Sequence, residues 1–149
     1  MSRNFYIGGI VSLEERFTWV QGIIAVGGYL VYLVLLLGRA GDDLAATPYV
    51  DLMIWTIGGA IAAGILGGIV AGATTRNHAK DARDREIYRR GEATGYAFVT
   101  VAAIAAMVLA WVEADHFWIA NVIYLGFVLS GILSFVAKSV MYRRGLPTW

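Results

Sequence analysis

Four apolar runs, each long enough to cross a bilayer, divide this chain, and one long polar stretch sorts them into two pairs. The runs extend about from Phe17 to Gly38, Tyr49 to Ala73, Ala93 to Val112 and Phe117 to Ala137. A hydrocarbon core takes roughly 20 apolar residues per helix, so each run predicts one transmembrane helix. The expected fold is therefore all-α: a single domain over residues 1–149, built as a polytopic four-helix bundle of two antiparallel hairpins. The charged connector between the pairs, residues 76–92, begins the only long polar stretch of the chain, from Arg76 to Tyr96.

Local signals refine these spans. Ser12 with Glu15 three residues on makes a capping box, which starts the first helix near Leu13. Trp19 then falls in the inner headgroup belt, Tyr29 and Tyr32 are expected to face something other than lipid, and the Gln21 amide is expected to bridge to a neighbouring helix. Thr47 as N-cap and Pro48 in the first helical position open the second helix. Along it Ala60, Gly64, Gly68 and Gly72 recur every four residues as a tandem GxxxG ridge. Lipid gives apolar helices no hydrophobic reason to associate, so a strip without side chains stabilises contact by letting two backbones come close. The ridge predicts tight packing and leaves the partner open, either another helix of this chain or a second subunit.

The connector is expected to be helical, with Asp81 before Arg85 and Glu86 before Arg90 at the favourable four-residue spacing. Gly91 and Gly95 permit a bend where the chain re-enters the membrane. Ala102, Ala106 and Ala110 form a second small-residue ridge. The turn from Glu113 to His116 is so short that the third and fourth helices must be antiparallel neighbours. Asp115 is the expected N-cap of the fourth helix, which runs to Arg144 and stops at Gly145 and Pro147. Lys138 lies close enough to the inner end to snorkel.

Composition agrees with this pattern. The 149 residues are 58% hydrophobic with a mean hydropathy of +0.64, far from the soluble average. No cysteine is present, which excludes disulfides, thiol catalysis and Cys-ligated metal clusters. The net charge of +1 says little, but its distribution sets a topology. Placing the N-terminus, the connector and the C-terminus on one side gathers eleven of the twelve basic residues there, with only Arg39 outside. By the positive-inside rule that side is cytoplasmic and holds both termini. Trp55, Trp111 and Trp118 then fall at the outer boundary, and Trp19 and Trp149 at the inner one.

Chemistry is sparse. No catalytic or metal motif stands out, and no cofactor is expected. The densest polar group is an outer cluster of Glu113, Asp115, His116, Asn121 and Tyr124, with Tyr32 as a possible companion across a shared cavity. Its one His and two acids lack the helical His spacing of a zinc or di-iron centre. The simplest reading is an ordinary polar loop with a capping aspartate, and the sharper one is a pH-sensing or cation-binding site. His78 sits among charges on the inner side and reads as solvated. The connector's alternating signs argue against nucleic acid and are compatible with anionic lipid headgroups. Ionisable residues are absent from the middle of all four spans, whereas proton relays and coupled transporters usually carry one there.

The segments DARDREIYRRGEATGY, DHFWIAN and YRRG carry a resemblance. From about Lys80 to Gly145 the chain resembles a group of small prokaryotic four-helix membrane proteins, the DUF2178-like domain of unknown function. Asp81, Arg83, Asp84, Ile87, Gly91, Gly95, Tyr96, Phe117, Trp118, Tyr142, Arg143 and Arg144 match the pattern, while the first two helices match only as a hydrophobic pair. The resemblance implies a multi-pass protein of the prokaryotic inner (cytoplasmic) membrane and no established activity. Its members often look like companions of small helix-turn-helix regulators.

These readings converge on a non-enzymatic interaction or regulatory subunit. Asp81, Arg83, Asp84, Arg85, Arg89, Arg90, Arg143 and Arg144 would form its cytoplasmic docking surface. Its expected partners are membrane lipids, a second copy or another membrane protein, and a cytoplasmic regulator. The alternative is a small channel or transporter with a path lined by the Gly-rich face of helix 2 together with Gln21, Asn121 and Thr100.

Overall fold

The apolar runs become four α-helices in a computed structural model that describes residues 13–74 and 82–145. They are α1 (Leu13–Arg39), α2 (Val50–Thr74), α3 (Ala82–Trp111) and α4 (His116–Arg144), and all four are long and apolar enough to span a membrane. The Ser12–Glu15 capping box, Gly72 as a packing surface, Arg76, His78, Lys80, Asp81, Pro147 and Trp149 lie outside the described residues or side chains.

The helix ends follow local chemistry. Asp115 caps α4, its carboxylate accepting from the Phe117 N–H at 2.8 Å, as the sequence leads one to expect. Gly145 ends α4 at φ +86°, its N–H donating to the Met141 carbonyl. The start of α2 differs from expectation. Thr47 does not cap it, because its hydroxyl turns back to the Asp43 carbonyl, and the helix begins at Val50 with the Met53 N–H donating to the Tyr49 carbonyl. Arg39 and Asp51 close the loop between α1 and α2 with an exposed ion pair at 2.6 Å.

The α3–α4 turn is a Schellman ending. The Ala114 N–H donates to the Leu109 carbonyl, the Glu113 N–H donates to the Ala110 carbonyl, and Glu113 takes the left-handed conformation at φ 55° that such a cap requires.

The packing is an open row, not a closed bundle. α3 packs most extensively on α4, α4 on α1, and α1 on α2, while α2 and α3 at the two edges do not pack comparably on each other. The connector joins the two edges. The described part of it is not a separate segment, since α3 begins at Ala82 and runs unbroken for 30 residues, about 45 Å at helical rise.

Two different kinds of contact hold the row. Between α3 and α4 the contact is made by small residues. A methyl group added at Gly126 would overlap Ala102, one at Gly95 would lie 2.7 Å from the Ser130 carbonyl oxygen, and one at Gly91 would overlap the Lys138 side chain. Gly91 and Gly95 thus serve close approach, not a bend. Ala102 and Ala106 are buried in this contact, whereas Ala110 is exposed. Among α1, α2 and α4 the contact is aromatic. Tyr32 and Phe117 are fully buried and join Leu36, Leu52, Tyr124 and Val128 in the core, with the Tyr32 and Tyr124 rings 5.1 Å apart.

Candidate functional site

The hydrogen-bonding groups of the aromatic cluster are paired across helices. The Tyr32 hydroxyl donates to Asn121 Oδ1 at 2.7 Å, and the Asn121 amide in turn donates to the Phe117 carbonyl. Tyr124 donates to Thr56 Oγ1 at 3.3 Å, and Thr56 donates to the Leu52 carbonyl. A hydroxyl in an apolar interior is costly without a partner, so these bonds fix the relative register of α1, α2 and α4. They also divide the sequence-predicted outer cluster. Asn121 and Tyr124 belong to this buried network and Asp115 to the α4 cap, whereas Glu113 and His116 are exposed. Among the described residues no group of His, Cys, Asp or Glu is arranged to hold a metal ion.

On the Lys138 side of Tyr124 a cavity of about 350 Å³ lies among α1, α2 and α4. Ile57, Ala60, Ile61 and Gly64 line it from α2, and Ile24, Ala25 and Gly22 from α1. The α4 wall runs from Tyr124 to Lys138, about 21 Å at helical rise. Polar groups gather toward the Lys138 end of this wall: Thr18, Gln21, Ser130, Ser134, Lys138, and Glu92 reaching over from α3.

Glu92 and Lys138 were not legible as a pair in the sequence. Lys138 does not snorkel. It is 4% exposed, and its Nζ donates to Glu92 Oε1 at 2.5 Å while lying 4.0 Å from the centre of the Tyr88 ring. Ser134 donates to the same carboxylate oxygen at 3.1 Å. Gly91 makes room for the Lys138 stem, which leaves the lysine too enclosed to reach solvent and commits it to Glu92 and Tyr88. A small-residue spacing on α4, Gly126, Ser130 and Ser134 followed by Lys138, marks this face at intervals of four.

The α2 ridge divides as well. Ala60 lies 3.6 Å from a methyl group added at Gly28, one added at Gly68 would lie 3.7 Å from the Phe17 ring, and one at Gly64 would meet nothing within 4 Å. These are ordinary contacts with α1 and an open cavity, much looser than those between α3 and α4. Gln21 is exposed at the cavity, and among the described residues its amide bonds no neighbouring helix. Thr100 is exposed on α3, bonded to the Tyr96 carbonyl and away from the cavity.

Beyond the apolar part of α3, residues 82–92 stay helical and packed on the end of α4. Ile87 is fully buried and Met141 nearly so. Arg83, Arg85, Arg89, Arg143 and Arg144 are exposed on this projection, and Asp84 is half-buried. Glu86 binds both Arg89, at 3.0 Å, and Arg90, at 2.6 Å. Hydrogen bonds from Arg89 and then Arg90 hold the Glu86 carboxyl down at about 2, so it stays ionised at any physiological pH.

No family model, no curated protein and no solved structure matches the chain.

Proposed function

We propose that this chain is a non-enzymatic interaction subunit of a prokaryotic cytoplasmic membrane, which docks a partner through the exposed basic surface at the inner ends of α3 and α4. In this reading the four helices span as two antiparallel hairpins with both termini inside, because that arrangement alone puts eleven of twelve basic residues on the cytoplasmic face. The observation that carries it is the helical projection of residues 82–92. It reaches about 15 Å past the apolar part of α3 and is held rigid by burial of Ile87 and Met141 and by the Glu86 pairs. A rigid array of guanidinium groups loses less freedom on binding than a flexible charged loop would.

Within the membrane, the edge helix α2 packs chiefly on α1, touches α4 through Thr56 and Tyr124, and offers its remaining faces to a second copy or another membrane protein. On the cytoplasmic side the partner class is an acidic protein surface. The resemblance to DUF2178-like proteins adds small helix-turn-helix regulators as the first to try.

Conduction is less well supported. The cavity ends at Tyr124, and outward of it Tyr32, Leu36, Leu52 and Phe117 fill the space between the helices.

A photo-crosslinking residue at Arg83 in living cells tests the reading. It should trap a defined partner, and the purified partner should bind the wild type but not Arg83→Glu with Arg85→Glu. Insertion should survive the double change, because nine basic residues still hold the orientation. Undiminished binding by the double variant rejects the proposal. So does a selective flux in proteoliposomes of the protein alone that Gly64→Leu abolishes.

A further inference from the structure

The cavity among α1, α2 and α4 has no part in docking, and its shape and charge make it a site. We propose that it binds one long-chain lipid with an uncharged, hydrogen-bonding head, of the monoacylglycerol or long-chain alcohol kind. The chain would lie along α2 and α4, and the head would sit at Gln21, Ser134 and the Glu92–Lys138 pair.

Three observations carry this. First, the cavity opens between α2 and α4, where Ile61 and Phe127 flank it at 58% and 60% exposure. In a row of four membrane-length helices that opening faces lipid tails, so what enters it comes from the bilayer. Second, its polarity is graded. From Tyr124 inward the wall is first Ile57, Ile61, Phe127 and Val128, and beyond the Tyr124 hydroxyl, which is already bonded to Thr56, the hydrogen-bonding side chains of α4 begin at Ser130, about 9 Å along the helix, and end at Lys138, about 21 Å along it. This is the outline of an amphiphile lying with its head at the inner interface, in a volume at the small end of the range for ligand pockets.

Third, the inner end is neutral as a whole. The Lys138 charge is matched by Glu92, so no charge is left to pair with a phosphate or a carboxylate. An anionic head would lose hydration against a neutral ion pair and gain no counter-charge. A hydroxyl or ester carbonyl fits better, because it exchanges water for Gln21 and the Ser130 and Ser134 hydroxyls at little cost.

Photolabelling tests this with the purified full chain in nanodiscs and a monoacylglycerol carrying a diazirine in its acyl chain. Labelling should be saturable and should map to α1, α2 and α4. Monoolein should displace the probe, while oleate and phosphatidylglycerol at the same concentration should not. Gly64→Leu places a side chain where nothing lies within 4 Å of the added Cβ, so it fills the cavity without disturbing the packing. It should weaken the probe by about tenfold or more, the effect of losing roughly 1.4 kcal/mol of contact. Gln21→Leu keeps the bulk at an exposed position and should weaken it several-fold. Gly59→Leu, on another face of α2 with equally open surroundings, should leave it unchanged.

Non-saturable labelling overturns the site. Wild-type labelling of both Gly64→Leu and Gln21→Leu overturns its location. Displacement by oleate or phosphatidylglycerol as effective as by monoolein overturns the class of ligand. None of these results touches the docking surface, whose own test is partner binding.

Discussion

Glycine-to-alanine substitution separates the two kinds of helix contact in this protein, and the structure predicts opposite signs at positions the sequence makes look alike. At Gly126 an added methyl runs into Ala102 Cβ, with the Phe98 carbonyl oxygen, one turn earlier on α3, 3.5 Å away. At Gly95 it lies 2.7 Å from the Ser130 carbonyl oxygen and 2.9 Å from the Ser130 hydroxyl. The nearest neighbour in each case is a backbone or Cβ atom, so relief requires moving one helix off the other. Overpacking of this kind costs about 1–3 kcal/mol. The gain in helix propensity from Gly to Ala returns at most about 1 kcal/mol, leaving a net loss of up to roughly 2 kcal/mol. At Gly64 the methyl meets nothing, so only the propensity gain remains, up to about 1 kcal/mol of stabilisation.

Thermal unfolding of the purified variants in one detergent, followed by circular dichroism, reads this directly. Gly126→Ala and Gly95→Ala should melt several degrees below wild type and Gly64→Ala at or above it. Wild-type melting of both α3–α4 variants would mean that the close contact carries no energy. An equal fall in Gly64→Ala would place a hidden partner against the α2 ridge and refute the open row.

The other predictions are tested in similar ways. Glu92→Gln leaves the Lys138 ammonium buried without a counter-charge and should cost about 3 kcal/mol or more, whereas Lys138→Met removes the enclosed charge and leaves a carboxylate that is one-third exposed, at a clearly smaller cost. Equal melting temperatures for the two would refute this asymmetry. Glu113→Gly relieves an L-residue from φ 55° at an exposed turn and should raise stability by about 0.5–1 kcal/mol, and a fall would show that the Glu113 side chain has a role of its own. In intact cells, cysteines at Asp43 and His116 should react with an impermeant thiol reagent and one at Arg85 should not; labelling of Arg85→Cys alone would invert the proposed topology.

The four membrane-length helices, the Asp115 cap and the Gly145 stop were legible because each rests on a short-range rule. Apolar length sets a span, an aspartate before a helix finds an N–H two residues on, and a glycine accepts positive φ. The order of packing was not legible. The most regular glycine pattern, on α2, predicts tight packing against another helix or a second subunit, whereas the tightest helix contacts within this chain are at Gly91, Gly95 and Gly126 between α3 and α4. A glycine in an apolar helix permits close approach, but only the neighbour decides whether approach occurs, and nothing local to α2 says that α3 lies at the far edge of the row.

The candidate site was hidden for a related reason. Glu92 reads as the last charge of a polar connector and Lys138 as a lysine near a helix end, 46 residues apart and each with an ordinary surface explanation. Their pairing follows from register. Once the short turn at residues 112–115 sets α3 against α4, Gly91 and Gly95 face Lys138 and Ser134, and Glu92 of α3 comes level with Lys138 of α4. The enclosing side chains then settle the matter energetically, since a lysine held at 4% exposure must be paired or neutral, and Glu92 is the carboxylate within reach. A sequence search that pairs small-residue positions across a short turn, and then asks which charges fall level, would have found Glu92 with Lys138. A search for charges within a single span passes over both, because neither is buried by its own helix.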